Sequence, residues 1–480
     1  MAAPEKMFVG GQWQAGSTTF DDRNPATGEV WRQVAEATES DAVEAIEAAR
    51  EAQPAWAALP ADQRGRLLHE VTRALEARHD EAVDALVDEG GAWIGKAMFE
   101  TGYVGGIAEA AAAAPHMVTG EILPSDSGKL SLVVRQPVGV VTVISPWNFP
   151  LLLSMRAVAF AIAVGNAVVL KPSEETPVAG GLLLARLFED AGLPPGILNV
   201  VTCSRDRVDE VGEALVTHPA VGAVSFTGSS AVGRTVAALG GHHLKKVALE
   251  LGGKDALLVL DDADIERAVG AATFGSFMHA GQICMSTERI LVDATIAGEF
   301  TERFAERTRT LTVGDPRSNV IGPVINERQA GKIRGHIDSA VAAGATVVTG
   351  GNNDGLFFEP TILTDVTPDM AVFSEETFGP VAPVLAVSGE DEAIKLANDS
   401  AYGLAAGVIT GDEERGLAVA QRLETGMVHV NDTSVYDEPN APFGGVKSSG
   451  VGRHGGKAGI EAFTHTRWLT VERGGRGYPF

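Results

Sequence analysis

From Val138 onward the chain alternates short runs rich in Val and Ile with stretches of helical pattern. This rhythm limits the folds open to it more than any other feature. The runs VGVVTVI, AVVLK, ILNVV and AVSFT are separated by helical patterns over 151–165, 176–191 and 206–217. Apolar runs without polar alternation belong to strands covered on both faces, so the pattern predicts a parallel sheet flanked by helices. A second series follows, with KKVALEL, DALLVL, ILVDA, ATVVTG, APVLAV, GVIT and MVHV as strands and a helix over 263–280. At 480 residues the chain exceeds what a single core serves, so two or three domains are expected. Ligands of open α/β sheets sit at the carboxyl ends of the strands. Asn148, Lys171 and Ser229 each lie just after, or at the end of, one of these runs.

Two flanking regions break the rhythm. Residues 1 to about 118 open with a strand-like stretch over 7–13 and continue as helices. Ser40 is the expected cap of the first, with Asp41 in its first turn and Val43, Ile46 and Ala49 at helical spacing. Further helices are expected over 64–77 and 81–87. Over 119–137, Pro124, Ser125, Asp126 and Gly128 form a turn before the strand LSLVVRQ, which predicts a projecting hairpin. RWLTVER near the end is a last strand.

Charge and cysteine content narrow the function. Lys and Arg total 38 against 63 Asp and Glu, a formal charge of −25. Such a surface repels phosphate backbones and anionic membranes, so neither is an expected partner. Cys203 and Cys284 are the only cysteines, which predicts no disulfide framework and fits a reducing compartment. The start, MAAPEKMFVGG, has no apolar signal core. The most apolar stretch, 151–164, is interrupted by Ser154 and Arg156 and falls short of the about 20 residues a bilayer requires. A soluble cytoplasmic protein is expected.

Five segments hold residues suited to chemistry. GQICMS places Cys284 after a helix among small residues, where a thiol can serve as a nucleophile or simply fill space. LELGGK puts Glu250 at a strand end, as a candidate general base toward water or a solvated turn residue. SPWNFP holds Asn148 between two prolines, its amide a rigid donor for an oxyanion or a turn stabiliser. SFTGSSAVGRT leaves a strand and enters a helix, and Gly228 and Gly233 would let backbone approach a phosphate there. It falls one residue short of a Walker A loop and carries Arg234 where that loop has lysine, which weakens a nucleotidase reading. KPSE offers Lys171 and Glu174 to ribose hydroxyls, and a carboxylate there favours NAD over the extra phosphate of NADP. Cys203 has no such company and reads as structural.

In this order the motifs ISPWNFP, VVLKPSE, FTGSSAVG, LELGGK, GQICMS, EETFGP and PFGGVKSSG resemble those of the aldehyde dehydrogenase superfamily, over essentially the whole chain. Around GEILPSD, GQICMSTERI and NDTSVYDEPNAPFGG the chain looks closest to the benzaldehyde, vanillin and salicylaldehyde dehydrogenases. The resemblance implies an α/β fold. It would comprise a Rossmann-like NAD-binding domain (1–118 and 138–249), an α/β catalytic domain (250–450) and a small β oligomerisation hairpin (119–137 and 460–480). It implies Cys284 as nucleophile, Glu250 as general base and Asn148 as oxyanion donor. It gives NAD the ligands Ser145, Pro146, Trp147, Lys171, Ser173, Glu174, Gly228, Ser229, Val232, Gly233, Leu251, Glu376 and Phe378. Phe149, Ile283, Met285, Tyr436 and Phe443 form the expected substrate pocket, suited to a flat ring. No metal is expected.

The implied activity is NAD-dependent oxidation of an aldehyde, with an aromatic one such as benzaldehyde expected, by a homodimer or homotetramer. An aliphatic aldehyde or semialdehyde remains an alternative, since Arg156 lies close in sequence. So does coenzyme-A acylation, although Glu250 argues against it. Many relatives carry Glu near the position of Lys457, where it assists proton transfer, and Lys457 cannot serve in the same way.

Overall fold

The computed structural model describes residues 3–475 and 477–480. Its first sheet has eight strands. The five central ones, Leu198–Val200, Ala167–Lys171, Val140–Ile144, Val221–Thr227 and Lys246–Glu250, run parallel. Their carboxyl ends therefore share one edge, which carries Lys171, the Ser145–Phe149 turn, Ser229 and Glu250. Lys246–Glu250, read from alternation as part of the second series, instead pairs with Val221–Thr227 and extends the first sheet. Gly450–Val451 then pairs antiparallel to it and brings the late chain back to the base.

The second sheet has seven strands in the order Thr346–Thr349, Thr361–Thr364, Val381–Val387, Thr287–Asp293, Asp255–Val259, Ala405–Ile409 and Met427–Val430. All neighbours are parallel except at the Thr346–Thr349 edge. Each sheet has its own apolar core. A third, three-stranded sheet sets Leu130–Pro137 between Glu121–Leu123 and Thr464–Val471. It leaves Ile122 77% and Trp468 69% exposed.

The apolar stretch that is too short for a membrane forms the helix Pro150–Ala163, apolar on nearly every side and buried against the first sheet. Pro150 starts it at the position where a missing N–H costs nothing. Each fully buried side chain such as Leu151 or Phe160 contributes about 1.5–3 kcal/mol. Among the described residues no helix is long and apolar enough to cross a membrane.

Two expectations are corrected. The first helix, Glu39–Ala57, is capped by Thr38 rather than Ser40: Asp41 N donates to Thr38 Oγ1 at 3.3 Å and Thr38 N donates to Asp41 at 2.7 Å. This reciprocal box satisfies two free amides, which Ser40, two residues further in, could not do. The helix pattern over 176–191 contains a π turn, Val178–Leu182, in which Gly180 and Gly181 pack on Pro150 and Pro172. A long helix, Ile94–Met117, carries no period in the sequence. Most of its alanines, with Val104 and Ile107, are buried on several sides, and Gly102, Gly105, Gly106 and Pro115 blur it further.

Candidate active site

The helix Ile265–Phe277 ends in a tight turn that aims the residues after it. His279, Ala280 and Gly281 have φ of 51°, 53° and 68°, three left-handed residues in succession. Non-glycine residues resist this conformation by about 1–2 kcal/mol each, so the surroundings must hold it. Gln282, fully buried, accepts from Ile325 N at 2.9 Å and donates to His279 O at 3.2 Å. A Cβ on Gly281 would stand 2.2 Å from the Gly379 carbonyl oxygen. The turn is wedged in place, and Cys284 follows it.

Cys284 and Asn148 lie where two cavities meet. One, of about 440 Å³, is mainly apolar and takes in all five expected pocket residues, Phe149, Ile283, Met285, Tyr436 and Phe443. Helices add Leu152 and Phe274, and Met278 follows from the turn. Arg156 also reaches this wall, but it is ion-paired with Asp437 and lies 4.5 Å from the centre of the Phe443 ring. Its charge is therefore largely compensated.

The other cavity, of about 330 Å³, opens at the carboxyl edge of the first sheet. Pro146, Trp147, Gly228, Ser229, Leu251, Glu376 and Phe378 line it, together with Glu250. Trp147 and Phe378 meet edge to face at 5.3 Å. Ser229 caps the helix Ser230–His242, so the free amides of its first turn, which includes the half-exposed Val232, lie just past the strand ends. A Cβ on Gly233 would stand 2.4 Å from the Leu251 side chain, so the close packing of the helix there also needs glycine. Gly228 likewise faces the Phe226 ring.

Ser145, Lys171, Ser173 and Glu174 lie along the same edge outside that lining. Ser145 accepts from Ser154 at 2.7 Å. Lys171, buried, donates to Pro172 O at 3.0 Å and stands 3.9 Å from Glu174. Ser173 Oγ lies 3.5 Å from the Glu174 carboxylate, which pairs with Arg205 at 3.2 Å.

The three central groups differ in environment. Asn148 Nδ2 donates to Gln282 O at 3.0 Å, which fixes the amide and leaves its second N–H for a ligand. Glu250 is 3% exposed, and neither oxygen reaches a partner at full hydrogen-bond geometry, with the Gly445 amide only loosely in range. Burial raises its carboxyl well above the ordinary range, opposed by Arg453 and Arg156. Enclosure also raises the Cys284 thiol, and the carboxylates of Asp255, Glu250 and Glu376 add to this. Both effects disfavour the thiolate. Burial raises Glu376 to about 7, and its Oε1 accepts from Gly253 N at 3.1 Å.

Lys457 is 83% exposed on the helix Gly456–Ala462, with Glu461 3.9 Å away, and points to solvent. The cation that acts on Glu250 from this segment is Arg453, across Gly444.

Several residues escaped the sequence reading. Glu288, buried, accepts from the amides of Thr377 and Phe378 at 2.7 Å each and pairs with Lys254 at 2.6 Å, so it shapes the EETFGP loop. Asn326, Gln329 and Lys332, at the start of the helix Glu327–Ala342, face the second cavity without any motif. Arg328 and Lys332, four apart, were the available signal.

A thiol and an amide donor are shared by an apolar chamber and a strand-edge cleft, with a buried carboxylate on the cleft side, an arrangement suited to covalent chemistry on a carbonyl. The chain belongs to the aldehyde dehydrogenase family, whose model matches residues 13–469. It is 46% identical to a vanillin dehydrogenase of Pseudomonas fluorescens, over 98% of this chain and 99% of that one. It is 44% identical to an NAD(+) benzaldehyde dehydrogenase of Pseudomonas putida, over 99% and 98%. The crystal structure of a salicylaldehyde dehydrogenase from Pseudomonas putida G7, complexed with salicylaldehyde, superposes with a TM-score of 0.97 at 41% identity, covering both chains completely.

Proposed function

We propose that the chain oxidises an aromatic aldehyde of about benzaldehyde size to its carboxylic acid, with NAD as hydride acceptor. The observation that carries this reading is the position of Cys284 and Asn148 on both cavities, with Glu250 on one. The strand-edge cleft fits a dinucleotide: a capped helix N-terminus for phosphates, Trp147 and Phe378 as apolar walls, and Glu376 for hydroxyls. NAD, when bound there, supplies the hydride acceptor.

The residues of the chain do the rest. Cys284 first releases its proton to solvent through the open cleft; the thiolate then attacks the carbonyl carbon, and the amide of Asn148 with the backbone N–H of Cys284 holds the oxygen. Such a donor contributes about 2.7–4 kcal/mol. Loss of hydride leaves a thioester on Cys284. Glu250 then takes a proton from water as the water attacks the thioester, and acid and thiolate separate. A carboxyl raised by burial suits this, because a stronger base is exposed to the water it must deprotonate.

The apolar chamber favours a flat ring over a charged chain, and the Arg156–Asp437 pairing offsets a cation that would otherwise favour a semialdehyde. The exposed apolar face of the three-stranded sheet suits a homodimer or homotetramer. Two unpaired cysteines suit a reducing cytoplasm. The division into residues 1–118 with 138–249, 250–450, and 119–137 with 460–480 follows the three sheets, apart from the Gly450–Val451 return.

The deciding experiment compares kcat/KM for benzaldehyde, a hydroxylated benzaldehyde, hexanal and succinic semialdehyde, with and without coenzyme A, by NADH absorbance. The aromatic substrates are expected to lead without coenzyme A. A tenfold lead for hexanal or the semialdehyde, about 1.4 kcal/mol, overturns the aromatic assignment. An absolute need for coenzyme A overturns the hydrolytic one.

A further inference from the structure

An ammonium and a carboxylate lie buried behind the site, outside both cavities. Lys96 is 1% exposed and Glu100 fully buried, one turn apart on the helix Ile94–Met117. Lys96 Nζ donates to Glu100 Oε2 at 2.5 Å and to the backbone carbonyl of Asn148 at 2.8 Å. Its third direction meets the face of the Phe149 ring, 4.1 Å from the centre. Every donor of the ammonium thus has an acceptor. The other oxygen of Glu100 accepts from the amides of Leu151 and Leu152, both at 3.0 Å. These are free amides of the first turn of Pro150–Ala163.

The pair therefore grips the chain on both sides of Pro150. On one side is the carbonyl of Asn148, on the other the helix start. The Asn148 side chain is held separately by Gln282 O, from the wedged turn before Cys284. With backbone and amide both anchored, the second N–H of Asn148 has one direction left. Buried ion pairs are poor sources of stability compared with apolar packing of the same volume, whereas they do fix geometry.

We infer that Lys96 and Glu100 are positioning residues for the oxyanion donor: they hold Asn148 where its free N–H meets the developing charge on the aldehyde oxygen. This rests on the reading of Asn148 given above. Loss of the clamp lets the Asn148 backbone shift, and a displaced donor loses what it gives the transition state while leaving ground-state binding nearly intact.

The test is a double-mutant cycle on the first-turnover NADH burst. Lys96→Met with Glu100→Gln removes both charges together, so no lone buried charge remains. Asn148→Ala supplies the second arm. The clamp variant is expected to slow the burst about 10- to 100-fold in the Asn148 enzyme. The aldehyde KM should stay within about threefold. In the Asn148→Ala background the same change should alter the burst less than about twofold. Equal slowing in both backgrounds, or none in either, overturns the inference. If Asn148→Ala alone leaves the burst unchanged, the oxyanion reading itself fails, which is a distinct result. Should the paired variant not fold, Glu100→Gln alone carries the cycle, and it must slow the burst only where Asn148 is present.

Discussion

The two cavities on either side of Cys284 are built by different parts of the chain. The strand-edge cleft is made of turns that follow strands, so its residues fall in short, ordered motifs: the Ser145–Phe149 turn, the Ser229 cap, the Glu250 strand end. The apolar chamber adds helix faces to its loops, with Phe99 and Tyr103 from Ile94–Met117 and Phe274 from Ile265–Phe277. Backbone geometry serves the first and side-chain volume the second. Damage to one side should therefore leave the other nearly untouched, except at the residues they share.

The largest effect falls on one of the shared residues, Cys284. Cys284→Ala should lower aldehyde oxidation by at least about 10⁴-fold while NAD still quenches protein fluorescence with the wild-type midpoint. Cys203→Ala, at a buried site that the cavities do not reach, should oxidise at the wild-type rate. Oxidation surviving in the Cys284 variant would remove the nucleophile from its role.

Glu250 lines only the cleft. Glu250→Gln should reduce steady turnover about 10²- to 10⁴-fold yet preserve a rapid first turnover of NADH, because the base acts on water after hydride has left. Stopped-flow absorbance reads both phases, and a lost burst would mean that Glu250 also deprotonates Cys284.

On the other side, Phe274→Ala should cut kcat/KM for benzaldehyde about fivefold to tenfold with NAD kinetics unchanged. An altered NAD KM would show that the chambers are coupled.

Glu174 should produce a smaller change. Glu174→Gln should raise the NADP to NAD ratio of kcat/KM about fivefold, near 1 kcal/mol, since Arg205 would then be free for a 2′-phosphate. The smallest effect concerns charge. With Glu250 removed as a negative neighbour, the raised thiol of Cys284 should ionise at lower pH. Iodoacetamide should then modify Glu250→Gln about two- to fivefold faster than wild type at pH 7, both rates rising with pH. Slower modification in the variant would reverse the sign of that interaction.

The contrast also explains what the sequence made legible. Parallel strands and their terminal turns could be read because apolar runs and Gly, Pro and Asn mark them locally. The Lys96–Glu100 clamp shows the spacing of an ordinary surface ion pair, and only burial against Asn148 reveals its use. Glu288 sits in GQICMSTERI with no local sign that it will hold Thr377 and Phe378, 89 and 90 residues onward. Alternation gives strand order along the chain, not lateral neighbours, so it groups Lys246–Glu250 with the later strands, whereas the domain bounds ending at 249 keep it with the first sheet, where it pairs. The Thr38 cap was displaced by two residues because Ser40 is an equally good capping residue by type, and the reciprocal bond with Asp41 decides.

The helix faces of the apolar chamber have a consequence for how such an enzyme can diversify. Phe99 is 52% exposed and Phe274 48%, on helix faces that line the chamber. Exchanges at such exposed positions usually alter stability by less than about 0.5 kcal/mol. The wedged turn before Cys284 has no such freedom, since Gly281 and Gly253 admit no added carbon without striking the Gly379 and Cys284 carbonyls. Mutational drift should therefore collect on these helix faces and spare the turn, so that in a library randomised at both places the folded, active survivors would differ in the aldehydes they accept and agree in how they oxidise them.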